Sequence, residues 1–168
     1  MPLRLILTRH AKSAWDDPLA ADHARVLNAR GREAAGRIGR WLAGRGYVPD
    51  AALVSSAART VETWALLSAE LPQAPAPQVT EALYHAGPER MLQVLARAEG
   101  GTVLMLGHNP GIAAFALWLL ASPPAHPRFA AYPTGATLVA DFHADDWAEV
   151  VPGSGSCRDF VVPRDLEA

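Results

Sequence analysis

The sequence predicts an α/β fold, a three-layer α/β/α sandwich around a mainly parallel central sheet. Three observations lead to it. Short apolar runs at residues 3–8, 51–54 and 102–106 alternate with segments of helical periodicity. The runs are apolar at nearly every position rather than every second one, as strands covered on both faces require. No stretch of the 168 residues reads as a linker, a repeat or a second core, so residues 1–168 are expected to form one domain.

In chain order, residues 3–8 are the first strand, followed by a polar stretch to Leu27 with Asp16-Asp17-Pro18 as turn punctuation. Asn28 is placed to cap a helix that runs to about Arg45, with Ala34, Ile38, Trp41 and Leu42 as its stripe and Gly46 beyond its end. Residues 51–54 form the second strand, and a helix over 58–70 ends before Pro72. Residues 73–77 alternate Pro and Ala as a connector, and Val79 opens an irregular segment that holds Glu81. Pro88 begins a helix on the stripe Met91, Leu92, Leu95. Residues 102–106 are a further strand, after which Asn109 as cap and Pro110 as first residue open the next helix. Residues 135–142 alternate as a strand, with 147–151 expected as its hairpin partner and 153–156 as a flexible turn.

Composition excludes several classes. Half the residues are hydrophobic and the formal charge is −2, so a core can form and no basic footprint for nucleic acid is present. Cys157 is the only cysteine, which rules out an internal disulfide and a cysteine-based zinc site. The histidines show no metal-ligand spacing, and no metal or cofactor is expected. The longest apolar run, residues 112–121, falls short of the roughly 20 residues of a membrane span. A cytoplasmic protein is the expectation.

Three polar clusters follow three apolar strands: Arg9-His10, Ser55-Ser56 with Arg59, and His108. Ligands in open α/β sheets bind at the carboxyl ends of strands, so clusters far apart in sequence can converge. Two arginines and two histidines suit a phosphate. The guanidinium fork matches phosphate oxygens in pairs, and His108 precedes a helix N-terminus, where an anion is favoured. Imidazole is a nucleophile near neutral pH, and fixed cations stabilise a phosphoryl transition state without a metal.

At these residues the chain resembles the histidine phosphatase superfamily, and most closely its small SixA-like phosphohistidine phosphatases. The text that carries the resemblance includes Leu7-Thr8-Arg9-His10-Ala11-Lys12-Ser13, Leu27-Asn28-Ala29-Arg30-Gly31 and Val54-Ser55-Ser56-Ala57-Ala58-Arg59. It continues through Glu81-Ala82-Leu83-Tyr84, Leu106-Gly107-His108-Asn109-Pro110-Gly111 and Pro133-Thr134-Gly135-Ala136. The resemblance implies a phosphoglycerate mutase-like fold and a covalent phosphohistidine on His10, then hydrolysed by water. It implies that Arg9, Arg59 and His108 bind the phosphoryl oxygens, that a backbone carbonyl fixes the His10 tautomer, and that Glu81 is the general acid. A phosphate or sulfate ion would fit the same site.

The sequence departs from the broad pattern at two positions. Ala11 stands where Gly is usual, so a positive φ is not expected there. Asp16 stands where an Asn often contributes, and it is expected to turn away or to meet a substrate cation. Lys12, Ser13, Trp15, Asp16 and His85 are candidates for the substrate rim. The expected substrate is a protein-borne phosphohistidine. The rivals are a small phosphomonoester and, in another class, a non-catalytic phosphate-binding module.

Overall fold

The computed structural model describes residues 2–167. Its strands are β1 (Leu3–Arg9), β2 (Ala51–Ser55), β3 (Pro77–Thr80), β4 (Thr102–Gly107), β5 (Thr137–Phe142) and β6 (Ser156–Val161). Its helices are α1 (Ala29–Gly44), α2 (Ala58–Ser68), α3 (Pro88–Ala96) and α4 (Gly111–Leu119). The strands form one six-stranded sheet in the order β3-β2-β4-β1-β5-β6. Strands β3, β2, β4 and β1 run parallel, whereas β5 is antiparallel to β1 and β6 antiparallel to β5.

Alternation of side chains builds the three layers. Leu5, Leu7, Leu53, Val103, Met105 and Leu138 pack with Met91 and Leu95 of α3 and Phe115 of α4 on one face. Ile6, Ala52, Val54, Leu104, Leu106 and Val139 pack with Ile38 and Leu42 of α1 and Trp64 and Leu67 of α2 on the other. Covered on both sides, the inner strands must be apolar throughout, and burying each such leucine contributes about 2 kcal/mol.

Local chemistry sets the element ends. The Asn28 side chain accepts from Gly31 N at 2.8 Å and starts α1 where expected. Pro88 opens α3 at its first position.

Three expectations need correction. Residues 77–80 are a strand, β3, not part of a connector and irregular segment. It is an exposed edge of four residues, too short and too polar to signal itself. The partner of β5 is β6, not residues 147–151. There, Asp146 accepts from Ala148 N and closes a 3-10 turn, while the Trp147 indole is buried and donates to Gly100 O. The third is the cap of α4: Pro110, after a cis Asn109-Pro110 bond, stands at the N-cap, and Asn109 reaches past it to accept from Ala113 N at 3.2 Å.

Candidate active site

The carboxyl ends of the parallel strands deliver the predicted clusters to one place. Arg9 ends β1 and His10 follows it, with the sheet pairing carried one residue further by His10 N donating to Gly107 O at 3.2 Å. Ser55 ends β2, Arg59 lies in the first turn of α2, and His108 follows β4. The His10 and His108 ring centroids are 5.3 Å apart. Arg9, His10, Arg59 and His108 line a cavity of about 400 Å³, together with Lys12, Ser13, Trp15, Asp22, Arg25, His85, Asn109 and Thr134.

His10 is held firmly. Its Nδ1 lies 2.7 Å from Ala11 O, and a carbonyl only accepts, so Nδ1 carries the proton and Nε2 the lone pair. Burial first, then the charges of Arg9, Arg59 and Arg25, outweigh the Ala11 contact and pull the imidazole pKa down to about 4. At neutral pH His10 is therefore an uncharged imidazole with a lone pair on Nε2. Ala11, with no positive φ, is buried beside Leu27 and Ala35, and its N–H donates to Thr63 Oγ1 at 3.0 Å. Gly31 lets α1 press on the next residue: a Cβ there would lie 2.0 Å from Lys12 O.

Two guanidinium groups and a second imidazole surround the His10 ring. Arg59 is 4% exposed and donates to Asp22 O at 2.8 Å and to Asp22 Oδ2 at 3.2 Å. Arg9 Nη1 donates to Tyr132 O at 3.3 Å, and the Asn109 amide clasps the same carbonyl at 3.1 Å. Burial, and after it the charge of Arg59, lowers Arg9 from its usual value. His108 Nε2 pairs with Ser55 Oγ at 2.7 Å. Burial, then the neighbouring His10 and Arg59, depress the His108 pKa to about 3.

The unmet hydrogen-bonding capacity is concentrated here. Among the described residues, the buried side-chain nitrogens and oxygens without a partner are Arg9 Nε, Arg25 Nε, Arg59 Nε and His108 Nδ1. All four belong to residues that line the cavity. A buried donor left unpaired costs about 1–3 kcal/mol, and the three guanidinium Nε–H groups of this cluster are chemically suited to an oxyanion.

One wall of the cavity is built by His85 together with Asp22 and Arg25, which the sequence did not single out. Asp22 Oδ2 accepts from the Tyr84 hydroxyl and from Arg59, its Oδ1 lies 3.3 Å from Arg25, and His85 Nε2 lies 3.5 Å from Oδ2. Tyr84 first, then Arg59 and Arg25, overcome burial and hold the Asp22 carboxyl well below the usual carboxylate range. Tyr84 stacks on His85 at 4.0 Å and meets His23 and His108 edge-on at 4.8 and 5.6 Å. His85 adopts a left-handed backbone (φ 57), a sparsely populated region for a non-glycine residue. Asp22 and Arg25 lie in a loop with no strand to end on, and their clustered charges in Asp22-His23-Ala24-Arg25 were the only signal.

Of the predicted rim, Lys12, Ser13, Trp15 and His85 line the cavity, and Asp16 does not. Trp15 is 75% exposed, with the Arg25 guanidinium 3.4 Å from its ring centre. Glu81 is not brought to the cavity. The Thr80 hydroxyl accepts from Ala82 N and starts a 3-10 turn, Glu81–Leu83, that sinks Leu83 into the core and leaves Glu81 exposed. The turn sets the Tyr84 hydroxyl on Asp22 instead.

Comparison with known proteins identifies the family and the fold. Residues 5–86 match the model of the histidine phosphatase superfamily (branch 1). An uncharacterized protein of Mycobacterium tuberculosis is 35% identical over 163 residues, covering 93% of this chain and 99% of its own. The solved structure of the putative phosphohistidine phosphatase SixA from Nakamurella multipartitia superposes with a TM-score of 0.81 at 27% identity, over 97% of each chain. That of the putative phosphohistidine phosphatase SixA from Agrobacterium tumefaciens gives 0.79 at 28%, over 97% of this chain and 99% of its own. The chain belongs to the histidine phosphatase superfamily and is SixA-like, with the phosphoglycerate mutase-like fold. Family and neighbours support a phosphatase activity.

Proposed function

We propose that the chain is a phosphohistidine phosphatase that works through a phosphoryl group carried on His10. The observation that carries this reading is the set of buried, unpartnered donors on Arg9, Arg25, Arg59 and His108 around an uncharged imidazole. His10 Nε2 attacks phosphorus in line, and the N–P bond to His10 forms as the substrate's own bond to phosphorus breaks. The electron pair stays with the leaving group. With the Ser55 hydroxyl donating to His108 Nε2, the one proton of the neutral His108 ring sits on Nδ1, and this N–H joins the guanidinium groups of Arg9 and Arg59 in stabilising the charge on the equatorial oxygens. Water then attacks phospho-His10, releasing phosphate and restoring the imidazole. Every charge the transfer needs comes from side chains, so chelators are expected to leave activity intact.

Asp22 points to the leaving group. It is the only carboxylate among the residues lining the cavity, and it is held ionised. An ionised carboxylate cannot protonate an alkoxide, so alkyl phosphates lack a donor from it. A phosphohistidine protonated at its distal nitrogen can instead donate that N–H to the Asp22 carboxylate, which favours the protonated form, and the ring then keeps the N–P electron pair and leaves as neutral imidazole. The loss of a histidine ring from phosphorus is thus better served than the loss of an alcohol.

Brief incubation with a radiolabelled phosphohistidine-bearing protein should leave an acid-labile, alkali-stable label on the enzyme. The label and turnover should both vanish in His10→Ala. Efficient cleavage of one sugar phosphate with no action on phosphohistidine would instead identify a small-molecule phosphomonoesterase. Retained phosphate binding with no turnover of any substrate would identify a binding module.

A further inference from the structure

Beside the catalytic cavity lies a larger groove of about 910 Å³ that shares Lys12 and Thr134 with it. Its charge runs against that of the chain. Five cations, Lys12, Arg30, Arg37, Arg128 and Arg164, meet three carboxylates, Glu33, Asp165 and Glu167, in a chain whose formal charge is −2. Two of the carboxylates are already engaged. Glu33 Oε1 accepts from Arg37 at 2.5 Å, and Asp165 Oδ2 accepts from His126 Nε2 at 2.8 Å and from Val162 N at 3.0 Å. Lys12, Arg30, Arg128 and Arg164 have no carboxylate within salt-bridge distance among the described residues. Only Glu167 opposes these four.

The cations are held at separate points of a rigid frame. Arg30 and Arg37 lie two turns apart on α1, a spacing that puts them on one helix face. Arg128 follows His126, whose Nδ1 accepts its N–H at 3.0 Å, and Arg164 lies in a 3-10 turn over Pro163–Leu166. The result is a broad, open, positively charged channel that leads to the nucleophile through Lys12. A phosphate bound at His10 would fill only the smaller cavity.

We propose that this groove binds an acidic segment of the protein substrate, flanking the phosphorylated residue, while the phosphoryl group lies at His10. The proposal rests on the phosphatase reading above and adds the substrate's chemistry beyond the phosphoryl group. The length of the groove, its four unpaired cations and its sharing of Lys12 with the cavity favour a peptide carrying several carboxylates. Such contacts set recognition and encounter rate, and they weaken as salt screens them.

The test separates binding from chemistry. Two labelled phosphohistidine peptides are prepared, one with Asp and Glu on both flanks and one with Asn and Gln in their place. Binding to His10→Ala is measured by fluorescence anisotropy at low salt. The acidic peptide should bind about tenfold tighter or more, an advantage lost at about 0.5 M salt, where the Debye length falls to about 4 Å. The triple variant Arg30→Ala, Arg128→Ala, Arg164→Ala, placed in wild-type His10, should lose the same preference in kcat/KM. It should keep wild-type turnover of free phosphohistidine, which does not reach the groove and so also reports that the variant is folded. Equal binding of the two peptides overturns the proposal, and so does a preference that survives the triple substitution. Binding of a sugar bisphosphate as tight as that of the acidic peptide also overturns it, because the occupant is then a small polyanion. A clear acidic preference without phosphohistidine turnover by the wild type leaves the groove standing and sinks the proposed reaction instead.

Discussion

The floor and the wall of the catalytic cavity are built differently. The floor is His10, Arg59 and His108, each at or just beyond the end of a buried parallel strand and each no more than 6% exposed. The wall is Trp15, Asp22 and His85, with Tyr84 packed on the last two, from the segment between β1 and α1 and from the turn after an exposed edge strand. The floor sets one buried guanidinium beside two uncharged imidazoles. The wall gathers aromatic rings around one ionised carboxylate. On the proposed reaction, the difference teaches that the groups for phosphoryl transfer belong to the sheet, whereas those that would select the departing group belong to the segments hung from it.

Substitutions that strike floor and wall separately should split accordingly. Arg59→Ala removes a paired contact to the transition state, and kcat should fall about a hundred- to a thousandfold on every substrate. Steady-state rates on phosphohistidine and on an alkyl phosphate check this, and a mild loss would place Arg59 outside the reaction.

The floor should also set the acid limit of the fold. His10 has a folded pKa near 4 and an unfolded value near 6.5, so between these the unfolded chain binds more protons. Stability is then full above pH 6.5 and falls as pH drops towards 4. For His10 alone the loss between pH 7 and pH 5 is about 2 kcal/mol. Urea midpoints in phosphate-free buffer at the two pH values should show it, and His10→Asn should remove that share. An unchanged slope in the variant would break the assignment.

On the wall the effects should be smaller and selective. Asp22→Asn should slow phosphohistidine cleavage about tenfold, the loss of one charge-assisted hydrogen bond, and leave alkyl phosphate cleavage unchanged. Equal losses would show that Asp22 only props Arg59. Glu81→Gln should stay within about twofold of wild type on both substrates, since its side chain is exposed and off the cavity. A larger loss on the alkyl phosphate alone would return to Glu81 the acid role its motif implies.

The same contrast explains what could be read from the chain. Strands β1, β2 and β4 are buried on both faces, and their apolar runs announced both the layers and the ends where Arg9, Ser55 and His108 sit. Helix α1 was visible through Asn28 and its stripe. Strand β3 was hidden because an edge strand needs little hydrophobicity and begins at Pro77, where no ladder N–H is required. Residues 147–151 misled because Trp147 is apolar for the sake of the core beneath a turn, not for a sheet face. Asp22 was invisible because its role depends on Arg59, Arg25 and Tyr84, which no local pattern connects to it. Glu81 differs in another way: its motif is legible in the chain, but the 3-10 turn leaves its side chain exposed and sets the neighbouring Tyr84 hydroxyl on Asp22.

Gly31 ties the two binding regions to one mechanical fact. Helix α1 rests backbone to backbone on the residue next but one to His10, with no side chain in between to yield. The helix therefore serves as a fixed rail: residues along its outer side can be exchanged to suit a different acidic companion, but the rail cannot slide. Variation in partner choice is channelled into the ornaments of α1, and the seat of the nucleophile is left undisturbed.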